Sequence, residues 1–180
     1  NIATLSPGDR VFTLVGCQEH AVVNERDKPT PVPAGIDLRD ALSVFGVTGM
    51  TAYFGLTDIG QPKAGETVVV SGAAGATGSI VGQLAKSKGC RVVGIAGSAA
   101  KCAWLTGELG FDAAIDYKTE DVGKRLTETC PKGIDVFFDN VGGQILDLAL
   151  ARIALRARVV LCGAISQYQD LENARGPANY

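Results

Sequence analysis

The chain has 180 residues, with 17 Lys and Arg against 19 Asp and Glu, a formal charge of −2, 46% hydrophobic and 20% charged residues. That composition describes one globular domain with a piece of another, and its near-neutral balance without a Lys/Arg run excludes phosphate-backbone binding as the main task, so no nucleic-acid partner is expected. Five scattered cysteines (Cys17, Cys90, Cys102, Cys130, Cys162), no CxxC pair and a single His20 argue against a disulfide scaffold or a zinc knuckle, and no metal site is expected.

In chain order, Pro7-Gly8-Asp9 reads as a turn and Arg10 to Val15 as a strand. The stretch Lys28-Pro29-Thr30-Pro31-Val32-Pro33 is a linker or crossing segment, because proline there forbids helix and inner strand. Leu38 to Thr57 reads as one or two helices broken near Gly46 and Gly49. Strands are then expected at Thr67 to Ser71, Arg91 to Ala96, Ala113 to Asp116, Asp135 to Phe138 and Arg158 to Leu161. Helices are expected between them, at Thr77 to Lys88, Ser98 to Leu109, Glu120 to Thr129 and Gly143 to Ile153. Gly176-Pro177 and Tyr180 suggest a closing loop. The uncharged stretch Thr67 to Ala85 has the length of a membrane span, but its glycines and hydroxyls read as strand, loop and helix. No basic n-region with an apolar core opens the chain, so a cytoplasmic protein without membrane partners is expected.

Strict alternation of strand and helix requires right-handed crossovers and places helices on both faces of a parallel sheet, a doubly wound α/β fold. Val68-Val69-Val70 and Val136-Phe137-Phe138 are continuously apolar, as central strands covered on both faces are.

The first of these strands leads through Ser71-Gly72-Ala73-Ala74-Gly75-Ala76-Thr77-Gly78 directly into a helix. Small residues between strand and helix let the backbone approach a pyrophosphate, and free amides with the helix dipole favour the anion. Ala73 stands where G-x-G-x-x-G has its first glycine. About 20 residues on, where Asp or Glu would grip the ribose hydroxyls of NAD, the chain has Ala96-Gly97-Ser98-Ala99-Ala100-Lys101. With no carboxylate to repel a 2′-phosphate, a Ser98 hydroxyl to donate and a Lys101 charge to attract, NADPH is the expected cofactor. Lys101 also fits an ordinary solvated helix lysine. Tyr117 fits either the adenosine end of the cofactor or core closure.

These segments, with Gly46-Val47-Thr48-Gly49-Met50-Thr51-Ala52-Tyr53-Phe54-Gly55-Leu56, Gln83-Leu84-Ala85-Lys86, Asp116-Tyr117-Lys118, Phe138-Asp139-Asn140-Val141-Gly142-Gly143 and Cys162-Gly163-Ala164-Ile165-Ser166-Gln167-Tyr168, carry a resemblance. The chain resembles the medium-chain dehydrogenase/reductase superfamily, and within it the zinc-independent leukotriene B4 dehydrogenase, prostaglandin reductase and alkenal double-bond reductase family. The resemblance implies a Rossmann-type domain over 35–180, the tail of a GroES-like catalytic domain over 1–34, and NADPH-dependent reduction of the carbon-carbon double bond of α,β-unsaturated ketones or aldehydes. Members are about twice this length and commonly dimers, so the full-length protein is expected as a homodimer and this stretch alone as inactive.

Carried onto this chain, the resemblance assigns the pyrophosphate to Gly75, Ala76, Thr77 and Gly78 with neighbouring Ala74, and the 2′-phosphate end to Ser98, Lys101 and Tyr117. The nicotinamide side falls to Asn140 and to Cys162, Gly163, Ala164, Ile165, Ser166 and Tyr168. Tyr168 is the catalytic candidate, since a phenol beside the nicotinamide ribose can donate to a substrate carbonyl or relay a proton; the other reading is that it only positions the ribose. Tyr53, spaced with Met50, Phe54 and Leu56, reads as core or as pocket wall. Asp139 at a strand end reads as structural, and His20 as a surface or packing residue. Thr48 stands where zinc enzymes of the superfamily offer a cysteine, and Cys17 and His20 depart from the family's more aromatic pattern, which bears on substrate. An NADPH-dependent quinone reductase and a non-catalytic NADPH-binding module remain the alternatives.

Overall fold

The computed structural model describes residues 5–169. The expected closing loop at Gly176-Pro177 and Tyr180 lies outside them. The chain divides into two compact units, with the boundary between Thr48 and Gly49. In the smaller unit β1 (Val11–Phe12) and β2 (Thr30–Pro31) pair antiparallel. A 3-10 turn at Glu25–Asp27 is closed by reciprocal bonds between Asn24 and Asp27. The expected strand from Arg10 to Val15 is thus only two residues long. Helix α1 (Leu38–Leu42), N-capped by Asp37, buries none of its residues.

Helix α2 (Val47–Phe54), most of which belongs to the larger unit, runs into a π-helical turn at Gly55–Gly60. Gly49, expected as a break, lies inside α2 and is buried. Five strands follow: β3 (Thr67–Ser71), β4 (Arg91–Ala96), β5 (Ala113–Asp116), β6 (Ile134–Asp139) and β7 (Ile153–Leu161). Between them lie α3 (Ala76–Ser87), α4 (Ala99–Gly107), α5 (Val122–Thr129) and α6 (Gly143–Leu150). All strands are parallel in the order β5-β4-β3-β6-β7, the doubly wound arrangement that the alternation predicts.

Alternation along the strands sorts the core into two layers. Val68, Val70, Val92, Val136 and Phe138 pack with Leu56 of the π turn, Val81 and Ala85 of α3, and Leu105 of α4. Val69, Val93, Ile95, Ile115 and Phe137 pack on the other face with Val122 and Leu126 of α5 and Leu146 and Ala149 of α6. Val68, Val69 and Val70 are all fully buried, and each such side chain contributes about 1.5–3 kcal/mol. On the first face glycines set the spacing: a Cβ on Gly55 would stand 2.8 Å from the Phe138 ring, and one on Gly82 would overlap the Phe111 ring at 1.9 Å. Elements there pack closer to the sheet than side chains allow.

β7 departs from expectation by starting at Ile153 rather than Arg158, so α6 ends earlier, at Leu150. The stretch Ile153 to Arg158 lies opposite only Ile134 to Val136, a bulge in which Arg156 adopts a left-handed φ of 64°. Its charged residues hide the strand from a hydrophobic pattern. At this edge Leu155 is 95% exposed. No helix among the described residues is long and apolar enough to cross a membrane.

Arg158 staples the lower edge of the sheet. Its guanidinium donates to the carbonyls of Gly60 (2.8 Å), Gln61 (2.9 Å) and Asp135 (3.3 Å) and pairs with both oxygens of Glu66. The π turn, the entry to β3 and the β6 edge are thereby joined. The Arg158 hydrogen bond outweighs burial and holds the Glu66 carboxyl below its usual 4.5. A carboxylate with a lowered folded pKa contributes stability above its unfolded value, and that contribution fades as pH falls through the folded value. Glu66→Gln is therefore expected to lose about 1–3 kcal/mol near pH 7 and to converge with wild type in acid. Denaturant unfolding at a series of pH values checks this; a gap that does not change with pH would show that the carboxylate charge is not its source.

A candidate dinucleotide-binding cleft

The loop after β3 begins with Gly72 at φ +58°, a left-handed turn that glycine adopts without strain. The Gly75 amide closes it on the Gly72 carbonyl at 2.9 Å. A Cβ on Gly78 would lie 2.4 Å from that same carbonyl, so α3 starts directly against the turn only because residue 78 lacks a side chain. Ala73 is fully buried where a glycine is usual, and Gly94 on β4 makes the room: a Cβ there would meet Ala73 at 2.9 Å. The bonds of α3 begin with the Ser79 amide to the Gly75 carbonyl. The amides of Ala76, Thr77 and Gly78 precede the helical ladder and carry the positive end of its dipole.

At the end of β4, Ser98 caps α4 by accepting the Lys101 amide at 3.3 Å. The Tyr117 ring, just beyond β5, lies over Gly97, where a Cβ would stand 2.7 Å from it. The Tyr117 amide donates to the Ala96 carbonyl at 3.0 Å, which fixes this turn on the neighbouring strand. Tyr117 is 46% exposed, so it lines the cleft wall rather than closing the core.

The third wall rests on Asp139, fully buried at the end of β6. Its carboxylate accepts the Ser71 hydroxyl (2.6 Å) and the amides of Val141 (3.0 Å) and Gly142 (3.0 Å). Ser71 Oγ accepts the Asn140 amide, and the Asn140 side chain donates to the Ser71 carbonyl at 2.7 Å. The segment after β7 is laid along this loop: the Cys162 amide donates to the Asp139 carbonyl at 2.8 Å, and the Ser166 hydroxyl to the Val141 carbonyl at 2.6 Å. Gly142 and Gly143, both at positive φ, admit it, since a Cβ on Gly143 would meet Ser166 at 3.1 Å. Burial first, then the Asp139 charge, push the Cys162 thiol up, away from nucleophilic thiolate.

These loops enclose a cleft of about 730 Å³ at the carboxyl ends of the strands, between β3 and β6 where the chain order reverses. Of the residues the sequence singled out, Ala74, Gly75, Ala76, Thr77, Gly78, Lys101, Tyr117, Asn140, Ile165 and Ser166 line it together. Ser98, Cys162, Gly163, Ala164 and Tyr168 are not on its wall. Tyr168 is 57% exposed, and its hydroxyl accepts the Ala164 amide at 3.0 Å. The remaining lining residues, Gly72, Ala96, Gly97, Lys118, Val141, Gly142, Gln144 and Ile145, were not picked as site residues from the sequence, although most stand in the motifs quoted from it. The paired glycines 142 and 143, following a strand, were the available signal for the last two. Tyr53 is 52% exposed, with Met50 and Phe54 half-exposed beside it, which corrects the core reading of that helix face; only Leu56 of the four is buried. Among the described residues no group of three or more His, Cys, Asp or Glu is placed to hold a metal ion.

Gly78→Ala is expected to lower stability by about 1–3 kcal/mol, because the added methyl meets backbone that cannot swing away. Urea unfolding checks it, and a variant as stable as wild type would mean that the loop and α3 separate freely.

A family model described as "Zinc-binding dehydrogenase" matches residues 76–176. Rat prostaglandin reductase 1 is 45% identical over 174 residues, which covers 94% of this chain and 51% of the relative. A tobacco 2-alkenal reductase (NADP(+)-dependent) is 43% identical over 178 residues, 96% of this chain and 50% of the relative. Among solved structures, CurA of Vibrio vulnificus in complex with NADPH superposes with a TM-score of 0.73 at 51% identity, covering 77% of this chain and 41% of that one. The chain thus spans about half the length of the relatives it matches. On these identities and this coverage, the chain belongs to the medium-chain dehydrogenase/reductase superfamily, in its zinc-independent family of prostaglandin and alkenal reductases.

Proposed function

We propose that the cleft holds NADPH, and that the whole protein reduces the carbon-carbon double bond of an α,β-unsaturated ketone or aldehyde. The observation that carries the cofactor reading is the composition of the wall at the end of β4. Gly97, Lys101, Tyr117 and Lys118 stand there, with no carboxylate on the cleft wall to repel a phosphate. The amides of Ala76, Thr77 and Gly78 suit the pyrophosphate, each favourable charge-dipole contact contributing about 0.3–1 kcal/mol. The relatives' names supply the reaction class: one acts on 2-alkenals with NADP(+), and CurA binds NADPH.

When bound, the cofactor supplies a hydride to the substrate's β-carbon. This chain's part is to fix the cofactor's ends and to place a donor at the carbonyl. Asn140, bonded through its amide and side chain to Ser71, and Ile165, whose amide donates to the Asn140 carbonyl, stand together on the cleft wall. Tyr168 is the donor in this reading. Its oxygen already accepts the Ala164 amide, which leaves its own proton to give to a substrate carbonyl oxygen as negative charge develops there. Residues 1–34 belong in this reading to the end of the catalytic domain and 35–180 to the cofactor domain.

Calorimetric titration of the chain is expected to show NADPH binding at least about tenfold tighter than NADH, a difference of ~1.4 kcal/mol, lost in Lys101→Ala. Equal affinity for the two cofactors would contradict the reading. In the complete protein, NADPH oxidation is expected with an enone such as 3-nonen-2-one, and Tyr168→Phe is expected to lower kcat at least about tenfold while leaving NADPH affinity within about twofold. Turnover with quinones alone would move the protein to the quinone reductases, and binding without turnover to a non-catalytic module.

A further inference from the structure

We infer that Lys118 is a second cation for the 2′-phosphate of the cofactor, acting with Lys101; this rests on the NADPH reading above. Lys118 lies on the same cleft wall as Lys101 and Tyr117, although the two lysines come from different elements, α4 and the turn after β5. That turn is rigidly held. Its Lys118 amide donates to Asp116 Oδ1 at 3.1 Å, the Glu120 amide to the Asp116 carbonyl at 2.9 Å, and the Asp116 amide to Glu120 Oε2 at 2.7 Å.

The carboxylates nearest to Lys118 in the chain are already engaged. Asp116 is buried and accepts the backbone, and Glu120 pairs with Arg125 at 2.8 Å. Among the described residues neither Lys101 nor Lys118 has a carboxylate within ion-pair distance, whereas Lys86, Arg125 and Arg158 each do. Two lysines without a carboxylate partner thus line one cleft. A phosphate monoester carries about −1.5 to −2 charges at neutral pH, so one lysine leaves roughly half of that charge unmatched and a second completes it. A diphosphate-linked dinucleotide without the extra phosphate offers nothing there for two cations to bind.

The test is titration of the chain and of Lys118→Gln with NADPH, NADH and adenosine 2′,5′-bisphosphate. Lys118 is exposed and donates only its backbone amide within the protein, so the variant is expected to melt with wild type. The expected result is about a fivefold to tenfold weaker hold on NADPH and on the bisphosphate, with NADH unchanged and the loss largely restored in Lys118→Arg. The difference should shrink in high salt, as for exposed charges. NADPH affinity within twofold of wild type, or equal weakening of NADPH and NADH, would overturn the proposal. A wild-type chain that does not prefer NADPH over NADH would instead overturn the cofactor reading itself, and this inference with it.

Discussion

The buried Asp139 carboxylate at the switch point of the sheet is the interaction on which the cleft depends. A charge without solvent costs several kcal/mol unless donors replace the lost water. Here the Ser71 hydroxyl and the Val141 and Gly142 amides do so. Those donors belong to the end of β3 and to the loop beyond β6, so satisfying the carboxylate fixes both lips of the cleft at once. The backbone carbonyl of the same residue accepts the Cys162 and Gly163 amides, which brings the chain after β7 alongside. One residue therefore organises three of the loops around the site.

Glycine supplies the complementary constraint. Gly78 lets α3 begin against the Gly72 carbonyl, and Gly97 lets the Tyr117 ring come close to the end of β4. In each case an absent side chain converts a loop into a surface that a planar or anionic group can approach closely. The 23 glycines, nearly twice the usual ~7% of a chain, concentrate part of their effect here.

Much of this was legible in the sequence because it rests on local rules. The continuous apolar runs at Val68 to Val70 and Val136 to Phe138 marked buried strands, and β3, β4 and β5 fall where the pattern put them. The phosphate loop followed from small residues between a strand and a helix, Lys101 from its distance beyond that loop, and Tyr117 from its place just after the third strand. What was not legible depended on contacts distant in the chain. β7 begins five residues early because a bulge at Arg156 and the reach of Arg158 to Glu66 and Gly60 let charged residues join a strand. Lys118 stood in a segment that carried the resemblance, but no role for it was legible, since only the fold shows that the turn after β5 shares a wall with α4. Exposure of Tyr53 is likewise a property of what packs on α2, which its helical spacing does not record.

On the proposed reading the cleft takes NADPH in one direction, with its pyrophosphate on the start of α3 and its 2′-phosphate at the end of β4. A crystal structure of the chain grown with NADPH tests it most directly. Pyrophosphate oxygens are expected within hydrogen-bond distance of the Ala76 to Gly78 amides, and the 2′-phosphate beside Lys101 and Tyr117. A cofactor lying in the reverse direction, or bound outside this cleft, would contradict it.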